Sequence, residues 1–154
     1  MLTILTQYAE RLQALHTAIE QIINGLPQVA LDWPPGPDMN SIHVLAVHVA
    51  GSERYWIGDV AGSDPSGRDR DAEFRSHGSD PHALIDLLDR TLAQSRVVLE
   101  GLELADLEDL RISPHNGRQV TVAWCLAHAL EHTALHLGHM EITRQLWEKN
   151  PLSS

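Results

Sequence analysis

The chain has 154 residues, the size of one domain with a single core, and a normal globular balance of 43% apolar and 21% charged residues. Its 21 acidic and 11 basic side chains give a formal charge of −10, and without a Lys/Arg cluster to neutralise phosphates no nucleic-acid partner is expected. Cys125 is the only cysteine, which excludes an intramolecular disulfide and a cysteine-rich zinc module and points to a reducing, cytoplasmic location. The opening "MLTILTQYAERLQ" lacks the basic region of a signal peptide, and no apolar run is long enough to span a bilayer, so no membrane partner is expected.

Residues 3 to 24 read as an amphipathic helix, with Leu5, Tyr8, Leu12, Leu15, Ile19, Ile22 and Ile23 at three- and four-residue spacing. Thr3 is the expected N-cap and Gly25 the stop. "LPQVALDWPPGPD" follows, and its prolines predict a stiff, extended connector without helix. A second helix starts after Asn40 or Ser41 and runs through "IHVLAVHVAGSERYWIGDVAG", with Leu45, His48, Val49, Ser52, Tyr55 and Trp56 on one broad face. Gly51 and Gly58 lower its helix propensity but allow a neighbour to approach closely. "SDPSGRDRDAEFRSHGSD" reads as a polar loop. Asp80 followed by Pro81 marks the third helix, which carries Leu84, Leu87, Leu88, Leu92, Ser95, Val98 and Leu99. "ISPHNGRQVT" suggests a short β-excursion, and Thr121 caps a fourth helix from Val122 to Trp147, with Pro151 just beyond it. Four helices of about 20–27 residues, each about 30–40 Å long, predict an all-α four-helix bundle spanning residues 1–154 as one domain. The connections between helices one and two and between three and four are long.

The chain is rich in histidine, with ten in all, and "EHTALHLGH" holds three in nine positions. His132 and His136 are four residues apart, which on a helix leaves them displaced by about 40° and about 6 Å along one face. Two imidazoles so placed can converge on one ion at about 2.0–2.1 Å from each nitrogen, but the site needs a further ligand. His128 and His132 have the same spacing, so geometry alone leaves either pair open. His48 lies on an otherwise apolar stripe of the second helix. A lone histidine there is commonly a satisfied core residue; shared with a helical pair, it would complete a three-nitrogen site with open positions.

"HVAGSERYW" together with "HALEHTALHLGHMEITRQLW" resembles the DinB-like superfamily of metal-binding four-helix bundles, which includes YfiT-like hydrolases. The resemblance covers almost the whole chain and rests on the pattern H…HxxxHxG. It implies His48, His132 and His136 as metal ligands and Gly138 as the glycine that allows tight helix packing. The position after that glycine is commonly glutamine in the family; here it is His139, turned about 300° from His136 and so most readily an exposed polar residue. The resemblance further implies a divalent ion, zinc or nickel, and a low-molecular-weight thiol. Characterised relatives include S-transferases using bacillithiol or mycothiol and a mycothiol-dependent maleylpyruvate isomerase. A metal-activated thiol attacking an electrophile is the shared chemistry, with metal-assisted hydrolysis as its variant. A metal-holding module without turnover is the alternative. Apolar helix faces suggest a homodimer.

Other residues carry blander readings. Glu53 and Glu131 are expected as surface charges, and His43 as solvated or near the connector. His16, His77, His82 and His115 lack a ligand-spaced partner. Cys125 reads as a small buried hydrophobe. Trp56, Trp124 and Trp147 read as core or pocket walls, and Trp33 as a cover for the site or a bundle end. Arg144 is placed to meet an anionic cofactor or an acidic neighbour at a helix end. No HExxH motif is present.

Overall fold

Apolar residues recurring every third or fourth position give the first and third long helices one face to bury, and the second, buried nearly all round, lies among its neighbours. In a computed structural model, which describes residues 1–150, the helices are α1 (Thr3–Ile23), α3 (Ile42–Glu53), α5 (Pro81–Gly101) and α6 (Val122–Glu148). They form a four-helix bundle. α3 continues without a break into a π-helical stretch, Arg54–Ala61. Pro151 lies outside the described residues.

The caps explain where the helices begin. The Ser41 hydroxyl accepts from the Val44 N–H at 3.2 Å, the Asp80 carboxylate from Ala83 at 2.9 Å, and the Thr121 hydroxyl from Trp124 at 3.1 Å. α1 departs from expectation: Thr3 is already helical, and Leu2 stands at the cap without a side-chain bond. Gly25 does end the chain's first turn out of α1, with φ +78°, a conformation that glycine adopts without steric cost.

Both connectors hold helix that proline content and polarity hid. α2 (Gln28–Leu31) is a single turn directly after Pro27, which stands at its N-cap, where a missing N–H costs nothing. Its Ala30 and Leu31 are fully buried and tie it to the core. α4 (Arg70–Phe74) lies within the supposed polar loop, capped by the Asp69 carboxylate accepting from Ala72 N–H at 3.0 Å. The β-excursion is an antiparallel hairpin, β1 (Leu110–Ile112) and β2 (Gln119–Thr121), with Leu110 opposite Thr121. No helix among the described residues is long and apolar enough to cross a membrane.

The core divides into two apolar clusters, one around Ile19, Ile23, Leu45, Val49, Leu84 and Met140, the other around Leu5, Leu12, Ile57, Leu92, Leu99 and Leu126. A buried polar layer separates them. His16 Nε2 lies 2.6 Å from Glu53 Oε2, and the Ser95 hydroxyl donates to Glu53 Oε1 at 2.7 Å. The expectation that Glu53 is a surface charge is therefore wrong: it is 1% exposed. Its position at the end of α3, where the helix widens into the π-stretch, turns it inward against α1 and α5, and burial is tolerated because both oxygens are bonded. His43 is likewise buried, not solvated, with Nδ1 2.9 Å from Asp32 of the first connector.

Removing one partner from the buried layer leaves the other uncompensated. Glu53→Ala is expected to lower the free energy of unfolding by about 3–5 kcal/mol. Ile4→Ala, at a position 57% exposed, is expected to stay within about 0.5 kcal/mol of the parent. Urea denaturation of the two variants checks both.

Candidate metal centre and its cavity

Two helices distant in sequence, α3 and α6, meet at three imidazoles. α3 presents the buried His48, and α6 presents His132 and His136 from successive turns. Each ring offers one nitrogen, and these nitrogens all lie within 4.8 Å of one another. His48 Nε2 and His132 Nε2 are 3.1 Å apart. Two nitrogens bound to one ion at about 2.0–2.1 Å are separated by about 2.9–3.4 Å for ordinary bond angles, so this pair already stands at ligand spacing. The rings meet edge to face, His48 at 84° to His136 and His132 at 71° to His136, as rings do when they point at a shared centre and are not stacked.

Electrostatics favour neutral rings. Burial, and then the neighbouring imidazoles of His136, His48 and His128, push His132 down to about 3. Burial, followed by His48 and His139, pushes His136 down to about 4. Near pH 7 both offer lone pairs with no proton to displace. His132 Nδ1 is buried and has no hydrogen-bond partner among the described residues. Three convergent imidazole nitrogens, with His132 otherwise poorly satisfied, fit a divalent transition ion.

Sequence reasoning missed the most important neighbour. His48 Nδ1 is 2.8 Å from Glu73 Oε2 on α4. Arg68 holds the same carboxylate with two bonds, Nε to Oε1 at 2.6 Å and Nη2 to Oε2 at 2.8 Å. Burial works against the charge on Glu73, but the hydrogen bonds from Arg68 and His48 outweigh it and keep the carboxyl below its usual range. A carboxylate only accepts, so His48 Nδ1 donates to it, and Nε2 is the nitrogen that faces the other imidazoles. No spacing rule connects Glu73 with His48, because the connector between them has no period; the one local signal is the Asp69 cap.

His128 stands apart from the cluster. It lies flat on Trp124, with centroids 4.8 Å apart and planes 9° apart, and edge-on to Trp56 at 5.1 Å. His139 is exposed, with Nδ1 3.3 Å from His136 Nδ1. Gly138 needs correction, since a Cβ there would meet nothing within 4 Å and tight packing is not its role. Arg144 donates to the carbonyls of Gln21 and Ile22 at 2.9 and 2.8 Å and to Glu148, which makes it a cap for the C-terminal end of α1. Trp33 packs on Trp147 at a bundle end, at 5.6 Å. Cys125 is buried, and burial lifts its thiol to about 11, which leaves it inert. His77, His82, His115 and Glu131 are exposed.

A cavity of about 610 Å³ opens beside His48 and His132, walled by Tyr55, Trp56, His128 and Arg68. Tyr55 ties the hairpin to it: its hydroxyl lies 2.7 Å from the buried Ser113 hydroxyl and accepts from the His115 N–H at 3.1 Å. Tyr55→Phe leaves Ser113 unpaired and is expected to cost about 1–2 kcal/mol in a urea titration.

The profile of a family described as mycothiol-S-transferase matches residues 7–149. No curated protein matches the sequence. Among solved structures, a conserved protein from Enterococcus faecalis superposes with a TM-score of 0.82 at 16% identity, over 97% of this chain and 100% of that one. YfiT from Bacillus subtilis, described as a probable metal-dependent hydrolase with an unusual four-helix bundle topology, superposes with a TM-score of 0.76 at 14% identity, over 97% and 89%. A mycothiol-dependent maleylpyruvate isomerase superposes with a TM-score of 0.64 at 14% identity, over 86% of this chain and 59% of that one. At such identities the likeness is one of fold.

Proposed function

The chain belongs to the mycothiol-S-transferase family, within the DinB/YfiT-like superfamily, and from that membership we propose a metal-dependent enzyme that joins a small thiol to an electrophile. His48, His132 and His136 are the ligands in this reading. The observation that carries it is the convergence of three imidazoles, two of which, His48 and His132, line a cavity of about 610 Å³, a donor set that leaves positions open for a further ligand. Zinc and nickel both suit imidazole nitrogen. A bound divalent ion supplies a Lewis acid that lowers the pKa of a thiol and so makes its thiolate available near neutral pH.

The chain's own residues do the rest. Glu73 keeps the proton on His48 Nδ1 and aims Nε2 inward. Trp56 and His128 line one side of the cavity, and Trp124 stacks on His128. Arg68, Asp69, Arg70 and Asp71 also line the cavity and offer it charged donors and acceptors for a polar thiol. A cytoplasmic location and a homodimer packed through helix faces belong to the same reading.

The experiment is an assay of metal-loaded protein with an alkylating probe and a panel of thiols, mycothiol, bacillithiol, glutathione and cysteine. Thiol-dependent consumption of the probe is expected with one of them. Inactivity with all four favours a metal-holding module, and turnover of an ester without thiol favours hydrolysis. In calorimetric titration His48→Ala is expected to lose zinc as fully as His136→Ala, by at least about 100-fold, whereas His128→Ala stays within about threefold. Unchanged affinity in His48→Ala removes that residue from the ligand set.

A further inference from the structure

α4 is five residues long, far too short to hold itself as a helix in water. What holds it is His48. The Phe74 ring packs on the His48 ring at 4.7 Å, and Arg70 lies over Phe74 at 4.8 Å. Glu73 reaches His48 Nδ1, and Arg68 closes on Glu73 from the residues just before α4. The same stretch, Arg68 to Asp71, lines the cavity. One imidazole therefore carries both a proposed metal bond on one nitrogen and the cavity wall on the other.

Glu73 gets there through a gap in α3. A Cβ built on Gly51 would collide with the Glu73 carboxylate. Any other residue at 51 would push the carboxylate off His48, although the carboxylate would still be in the chain. The gap admits the carboxylate as a whole: the built Cβ comes nearest Oε1, which Arg68 holds, while Oε2, which His48 and Arg68 share, stands 3.3 Å from it.

We propose that Glu73 is the positioning residue of the metal centre and that, through it, ion binding and the ordering of the 68–74 cavity wall are coupled. The proposal rests on the three-histidine reading above. A carboxylate on the distal nitrogen of a ligand histidine fixes its tautomer and orientation and raises its basicity. By linkage the effect runs both ways: an ion that fixes His48 fixes the surface on which α4 sits, and loosening α4 weakens the ion.

The test uses the full chain with Zn²⁺, read by competition with a chromophoric chelator and by hydrogen–deuterium exchange. In the parent, Zn²⁺ is expected to slow exchange across 68–74. Glu73→Gln and Glu73→Ala are expected to weaken Zn²⁺ by about 10- to 100-fold and to lose that slowing. Gly51→Ala is expected to do the same with Glu73 intact, and Glu73→Gln to shift the visible bands of Co²⁺-loaded protein. If Gly51→Ala fails to fold, the two Glu73 variants decide. Zn²⁺ affinity within twofold of the parent in the folded variants, or exchange in 68–74 that ignores the ion in the parent, overturns the proposal and leaves the ligand set standing. A parent that binds no Zn²⁺ overturns the ligand set, and the proposal with it.

Discussion

A buried imidazole has two ring nitrogens, and each needs a partner once water is gone. That requirement organises the interior of this bundle. His16 meets it in part with Glu53, His43 turns to Asp32, and His48 takes Glu73 on one nitrogen. What is left is a set of facing ring nitrogens: His48 Nε2, His132 Nε2 and a nitrogen of His136, gathered where α3 faces α6. Apolar packing brings the helices together, and unsatisfied imidazole at their seam gives that packing a chemical use.

The bundle was legible because amphipathic period and capping are local. Ser41, Asp80 and Thr121 cap where the residue types say they should, and the apolar faces of α1 and α5 follow from three- and four-residue spacing. The pair His132 and His136 was legible for the same reason. His48 was singled out because a polar ring on an apolar stripe is locally inconsistent, and family resemblance joined it to the pair. The non-local partners could not be read. Glu53 sits 37 residues from His16 and Glu73 sits 25 from His48, and neither separation has a period that marks it. Periodicity placed Glu53 on a helix but said nothing of how the π-stretch after it turns the chain. Polarity hid α4 altogether, although polarity there is what a wall of charged groups around a ligand cavity requires.

The two buried carboxylates, Glu53, expected at the surface, and Glu73, not singled out in the sequence, have different partners. Glu53 satisfies a polar layer between two apolar clusters and fixes how α1, α3 and α5 sit against one another. Glu73 belongs to the site. It comes from a connector and not from the bundle: the long helices hold the three imidazoles, while a short segment bonds one of them and lines the cavity. Rigid scaffold and variable connector are a common division of labour in proteins that vary their substrates on one fold.

X-ray absorption on zinc-loaded protein tests the central claim most directly, since it reads the ligand shell itself. The account predicts one ion per chain with three imidazole nitrogens at about 2.0–2.1 Å, and a sulfur neighbour at about 2.3 Å when a small thiol is added. Failure to hold a stoichiometric ion, fewer than three imidazoles, or a shell that thiol leaves unchanged would contradict it.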